Sequence, residues 1–208
     1  MNGLLTLTQW LSPAFPLGSF AYSHGLETGI AQGTITDATD VQAWLESVLQ
    51  YGAGCSDATL LALALKGSDA AMLSAEARAL APSQERWDET TAQGRAFSDA
   101  VAATGHRVEP APLPIALGLA ARGLGVAHRD VVALYLQAFA SNLVTVAIRF
   151  VPLGQSEGQR VLTALQPLIK DCAEAALKRG LGDITSAVPG ADLWAMQHEA
   201  LEVRMFKS

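Results

Sequence analysis

The residues of this chain that could run a reaction are few and scattered. Four histidines, His24, His106, His128 and His198, each stand alone. None has another histidine at the i+3 or i+4 spacing that would put two ligands on one helix face. His198 and Glu199 are adjacent and so do not face the same way. Cys55 and Cys172 lie far apart, with no second Cys or His at ligand spacing, and read as two free thiols of a reducing compartment. Ser23-His24 sets a nucleophile beside a base, but neighbours on a helix point about 100° apart, and no G-x-S-x-G elbow holds the serine. Glu27, Glu85, Asp88 and Glu89 could meet in space as an acid–base pair, although nothing in their spacing demands it. No phosphate-cradling G-x-x-x-x-G-K-[ST] occurs, and Gly123 and Gly125 read as the end of a helix. The residue types thus predict a protein without a catalytic residue, a cofactor or a metal site of its own.

The totals narrow the classes further. A chain of 208 residues is long enough for one well-filled core, and its 50% apolar and 16% charged residues are a folding composition. The net charge of -6 argues against nucleic acid and against an anionic membrane surface, since both need clustered Lys and Arg. Met1 to Trp10 carries no basic residue and no long apolar run, so no signal peptide is expected and the cytoplasm is the expected compartment.

The elements that must position any site are helices. Apolar residues recur at helical spacing, and no strand pattern is found. Short helices are predicted over Leu4–Leu11, which stops at Ser12-Pro13, and Phe20–Ala31, which stops at Gly33. Asp37–Tyr51 is strongly amphipathic, with Val41, Trp44, Leu45, Val48 and Leu49 on one face. Ser56–Lys66 follows, then Asp69–Leu80 with Ser68 as cap, and a longer helix capped by Ser83 and ending near Gly105. The proline-bearing stretch at about 105–114 is read as a surface loop within one domain, residues 1–208. After Leu113–Leu124 comes the longest apolar stretch, His128–Val151. Gln137, Ser141, Thr145 and Arg149 fall four apart and make one polar seam down it, with Asn142 beside them. That favours a central bundle helix or a helix–helix interface over a membrane span of roughly 20 residues. Ser156–Arg179 is predicted with a break or kink near Pro167, and Ala191–Met205 as a last helix before a free end at Phe206–Ser208. The expectation is all-α: one helical bundle of eight to ten helices, without a sheet.

Two segments carry more than packing. The first is Ser12-Pro-Ala-Phe-Pro-Leu-Gly-Ser-Phe-Ala-Tyr-Ser-His-Gly-Leu-Glu27. The second is Arg149 with Phe150-Val-Pro-Leu-Gly-Gln155 and Gly158-Gln159. With Asp183-Ile184, Ser186, Pro189 and the ending Gln197-His-Glu-Ala-Leu-Glu-Val-Arg-Met-Phe-Lys-Ser208, they resemble the urease accessory protein F (UreF) family. The resemblance runs in order along the whole chain. The sequence departs from the family pattern at Glu202, where the family has Tyr, and at Lys207, where it has Arg.

What the resemblance implies is an all-helical cytoplasmic protein without enzymatic activity. It would form a homodimer, join a urease accessory protein of the D (or H) type, recruit the G-type GTPase and help nickel reach urease apoprotein, the nickel being handled by the complex. A helical dimeric adaptor unrelated to urease and a helical enzyme built from distant carboxylates and His remain as rival readings. The partner-interface candidates are Tyr22, Ser23, Gly25, Glu27, Arg149, Gln155, Arg204, Met205 and Phe206. Tyr22 pairs an apolar ring with a polar tip, the make-up of an interface anchor, and serves as well in a core. Gly25 would let a second chain, or a neighbouring helix, approach closely. Arg204 and Phe206 sit at a chain end, where a partner could order them.

Overall fold

The computed structural model describes residues 2–184, 186 and 188–207. Among these, ten α-helices follow one another: α1 (Asn2–Trp10), α2 (Leu26–Ala31), α3 (Ala38–Tyr51), α4 (Ala53–Lys66), α5 (Ala70–Leu80), α6 (Gln84–Ala103), α7 (Leu113–Ala121), α8 (His128–Phe150), α9 (Gln155–Ala176) and α10 (Pro189–His198). Single 3-10 turns stand at Ser19–Ala21 and Leu181–Asp183, and no strand occurs among the described residues. The all-α expectation holds.

Small polar side chains start the helices by accepting backbone N–H groups that have no partner within the first turn. Asp37 accepts from Thr39 and Asp40 at the head of α3, and Ser83 accepts from Arg86 at the head of α6. At α5 the cap is Asp69, accepting from Met72, and not the expected Ser68. A carboxylate accepts that N–H more strongly than a hydroxyl does.

The core forms where helices bury more than one face. Every residue of α4 from Gly54 to Leu65 is buried, and α8 lies beside it with Val131, Leu136, Leu143 and Ala147 enclosed. α8 packs on α9, and α4 packs on α7. Gly158 of α9 permits the α8–α9 approach, because a Cβ there would stand 2.5 Å from the Ile148 side chain. Two stretches, Ala38–Lys66 and His128–Phe150, are apolar and long enough to cross a membrane. In this fold the first is divided into α3 and α4, and 83% of its most apolar window is buried inside the protein.

The structure corrects four expectations about elements. Phe20–Ala31 is not one helix. His24 (φ 56°) and Gly25 (φ 79°) are left-handed, and they break it into the 3-10 turn and α2. α9 runs without interruption through Pro167, which lies on an exposed face. The last helix ends at His198 and not Met205, because His198 is held by two carboxylates from other helices. Phe206 is not a free end: it is buried, with its ring 5.2 Å from that of Phe150. Ser208 lies outside the described residues.

Candidate functional site

The Pro-rich turn after α1 brings the first motif across the top of the bundle. Phe15 leans on Phe97 of α6, and the chain then reverses through His24 and Gly25. Only glycine suits position 25 on two counts. Its φ is left-handed, and a Cβ would stand 2.7 Å from the backbone nitrogen of Ala195. Gly29 is closed in the same way by the Trp194 ring. The two glycines therefore let α2 lie directly against α10. The last helix and the residues after it are thereby set beside the first motif.

At that junction the two ends of the chain are tied by charge. His198 is 0% exposed and has a carboxylate oxygen at each ring nitrogen: Glu85 Oε2 at 2.7 Å from Nδ1 and Glu27 Oε2 at 3.1 Å from Nε2. Glu27 also accepts the backbone N–H groups of Met205 and Phe206, at 2.9 and 3.1 Å. Arg204 donates to Glu85. Glu199 accepts the N–H groups of Gln84 and Glu85, adding a second cap to α6 from a distant part of the chain. Lys207 N–H donates to the carbonyl of Ala21, back on the first motif. Residues 199–207 thus form a strap laid across α2, the head of α6 and the end of α8. Val203 and Met205 face outward from it, 81% and 73% exposed.

A second polar cluster lies beneath the same turn, around a cavity of about 230 Å³. Arg86 sits 2.7 Å from Asp57 and 3.6 Å from Glu89, and the Tyr135 hydroxyl donates to Asp57 at 2.7 Å. His24 Nε2 lies 2.9 Å from Glu89, and its ring meets Phe139 edge-on. Burial opposes the Arg86 charge, but Asp57 and Glu89 more than offset this and hold its pKa above the ordinary value. Burial, then the Asp57 charge, pushes the Tyr135 hydroxyl well up. Tyr22 at the cavity wall is also raised, by burial first and then by Glu89 and Asp88. All of these shifts keep each group in its ordinary protonation state near neutrality. Asp57, Arg86, Tyr135 and Glu89 are mutually committed partners, whereas His24 Nδ1 is buried without a hydrogen-bond partner. Among the described residues no group of three or more His, Cys, Asp or Glu could hold a metal ion.

A family model described as UreF matches residues 35–166. Proteins described as "Urease accessory protein UreF" match along nearly the whole length. That of Cereibacter sphaeroides strain KD131 is 55% identical over 206 residues, covering 99% of this chain and 98% of its own. That of Jannaschia sp. strain CCS1 is 50% identical over 209 residues, 100% and 95% respectively. That of Paracoccus denitrificans strain Pd 1222 is 48% identical over 206 residues, 98% and 95%. The chain belongs to the UreF family of urease accessory proteins. Its role is accordingly in urease maturation.

Set against this UreF fold, the sequence candidates divide. Glu27, Arg204, Met205 and Phe206 come together at one junction, and Ser23 supports it by accepting the Glu27 N–H at 3.3 Å. Gly25 meets α10 of its own chain. Tyr22 and Arg149 line the cavity, Arg149 and Gln155 being exposed. Of the carboxylates that the sequence allowed to meet, Glu27 and Glu85 do so, at His198, which the sequence did not name as a member of the junction. Sequence reasoning also missed the buried Asp57–Arg86–Tyr135 set. The usable signal for His198 was its place inside the second terminal motif. Asp57 and Tyr135 had one too, as polar groups on the buried faces of apolar helices, which must be paired.

Proposed function

We propose that this UreF-family chain works as a non-catalytic scaffold in urease maturation. In this reading it joins a D- or H-type accessory protein, brings the G-type GTPase to urease apoprotein in the cytoplasm, and so helps insert nickel. The observation that carries it is the junction of the two terminal motifs. Residues distant in sequence are spent on presenting one composite surface, from which Val203 and Met205 project into solvent. Exposed apolar side chains on an anchored segment are what a protein partner covers. The commitment of the buried Asp57–Arg86–Tyr135 and His24–Glu89 groups to one another supports the absence of catalysis.

The test is co-expression of the tagged chain with the D- or H-type protein and the GTPase. The chain is expected to carry both through purification, and Met205→Asp to lose the D- or H-type protein while keeping its helical circular-dichroism signal. Retention of that partner by the variant would remove the strap from the interface.

A homodimer through α8 is a second part of the reading, favoured by its seam. Thr145 and Arg149 are exposed, and Gln137, Ser141 and Asn142 are half-buried beside a shallow groove against α1. Thr145→Arg should then shift the chain to monomer in size-exclusion chromatography, whereas an unmoved elution volume would assign the seam to solvent.

A further inference from the structure

We propose that His198 is a proton-controlled latch that holds the C-terminal strap, residues 199–207, against the body of the chain. Both ring nitrogens stand within 3.1 Å of a carboxylate oxygen. An ionised carboxylate only accepts, so both nitrogens must donate, and an imidazole has two N–H groups only as the imidazolium. The neutral ring has one. Deprotonation at His198 therefore turns a lone pair toward Glu27 or Glu85 and leaves two half-buried carboxylates without the cation between them.

The charged groups around the ring come from three directions. α2 supplies Glu27, the one charged residue of that helix. α6 supplies Glu85, while its neighbours Arg86 and Asp88 are engaged with Asp57 and Gln84. The strap supplies Arg204, which donates to Glu85, and Glu199, which is turned to the head of α6. On this count Glu85 keeps a cation when the ring loses its proton, and Glu27 does not. Glu27 is also the acceptor for the strap amides of Met205 and Phe206. The proton on His198 thus bears directly on the group that pins the strap.

The sign follows. Protonated, His198 holds α2, α6 and the strap together. When the ring gives up that proton, the contribution is lost and the strap loosens, baring the Phe150 ring that Phe206 covers. The Lys207 amide to Ala21 and Glu199 to the α6 head tie the strap without involving the His198 ring.

The test is amide hydrogen exchange of the full chain at about pH 6 and about pH 8.5, normalised to intrinsic exchange rates. The expected result is a fall of about tenfold or more in the protection of the Met205 and Phe206 amides at the higher pH. In His198→Gln, which cannot take a charge, the same amides should show low protection at both. Wild-type protection that is equal at the two pH values overturns the latch, as does a variant with the wild-type pH response. Should His198→Gln lose its helical signal, the ring 15N shifts of wild-type His198 decide. A change from imidazolium to neutral ring in step with amide release supports the latch, and a ring that stays in one form, or release that does not follow it, overturns it. These readouts need no partner protein and do not depend on what the strap binds.

Discussion

Glu27 is the single side chain on which most of the junction converges. It accepts two strap amides and one nitrogen of His198. Hydrogen bonds to a charged acceptor are worth more than neutral ones, so Glu27→Gln should lower unfolding stability by about 2 kcal/mol. The urea midpoint measures it, and a midpoint within error of wild type would mean that Phe206, Arg204 and the Lys207 amide hold the strap without Glu27. In the second cluster, Tyr135→Phe strips Asp57 of a buried donor and should cost about 1–3 kcal/mol by the same measurement. A neutral effect there would assign the Asp57 charge wholly to Arg86. The thiols give a pH-dependent reading. Burial, with Cys55 next in effect, pushes Cys172 up to about 11. At pH 8 only about one molecule in a thousand carries that thiolate. Alkylation of the native chain at Cys172 should therefore be slow and should rise about tenfold per pH unit until that value is approached. Rapid labelling at pH 8 would contradict the buried setting.

At the scale of elements, caps and apolar periodicity made α3, α6 and α8 readable from the sequence, because Asp37, Ser83 and the apolar faces act locally. What the sequence did not disclose is set by contacts between its two ends. The Phe20–Ala31 stretch has the residues of a helix, yet α10 presses against Gly25 and Gly29 and imposes the left-handed step at His24. Residues 191–205 likewise contain good helix formers, but His198 is drawn to Glu27 and Glu85, and the chain leaves the helix there. Phe206 looked like an end because terminal residues normally lack partners, whereas here Phe150 supplies one. Pro167 shows the reverse: of the break or kink that a local rule predicts there, the break does not occur, and the packing of α9 on α8 and α3 keeps one helix. Pro167→Ala should restore a backbone hydrogen bond within α9 and raise the unfolding midpoint by the equivalent of about 1–3 kcal/mol. A fall in stability would show instead that the proline shapes α9 for its neighbours.

For the whole molecule, the fold turns a largely apolar bundle into a platform. α4 and α8 fill its interior, α9 and α3 enclose one side, and the two family motifs meet at one end under a strap tied by Glu27, Glu85 and His198. The family resemblance was legible because those motifs are specific in sequence. The fact that they are one site is a property of the fold, since Glu27 and His198 lie 171 positions apart in sequence. The measurement that bears most directly on the scaffold reading is nickel-dependent urease activity in cells that carry urease and its other accessory proteins but lack a UreF-type chain. The account predicts inactive urease without this chain, active urease with it, and loss of that rescue with Met205→Asp. Urease that is equally active with and without the chain would contradict it.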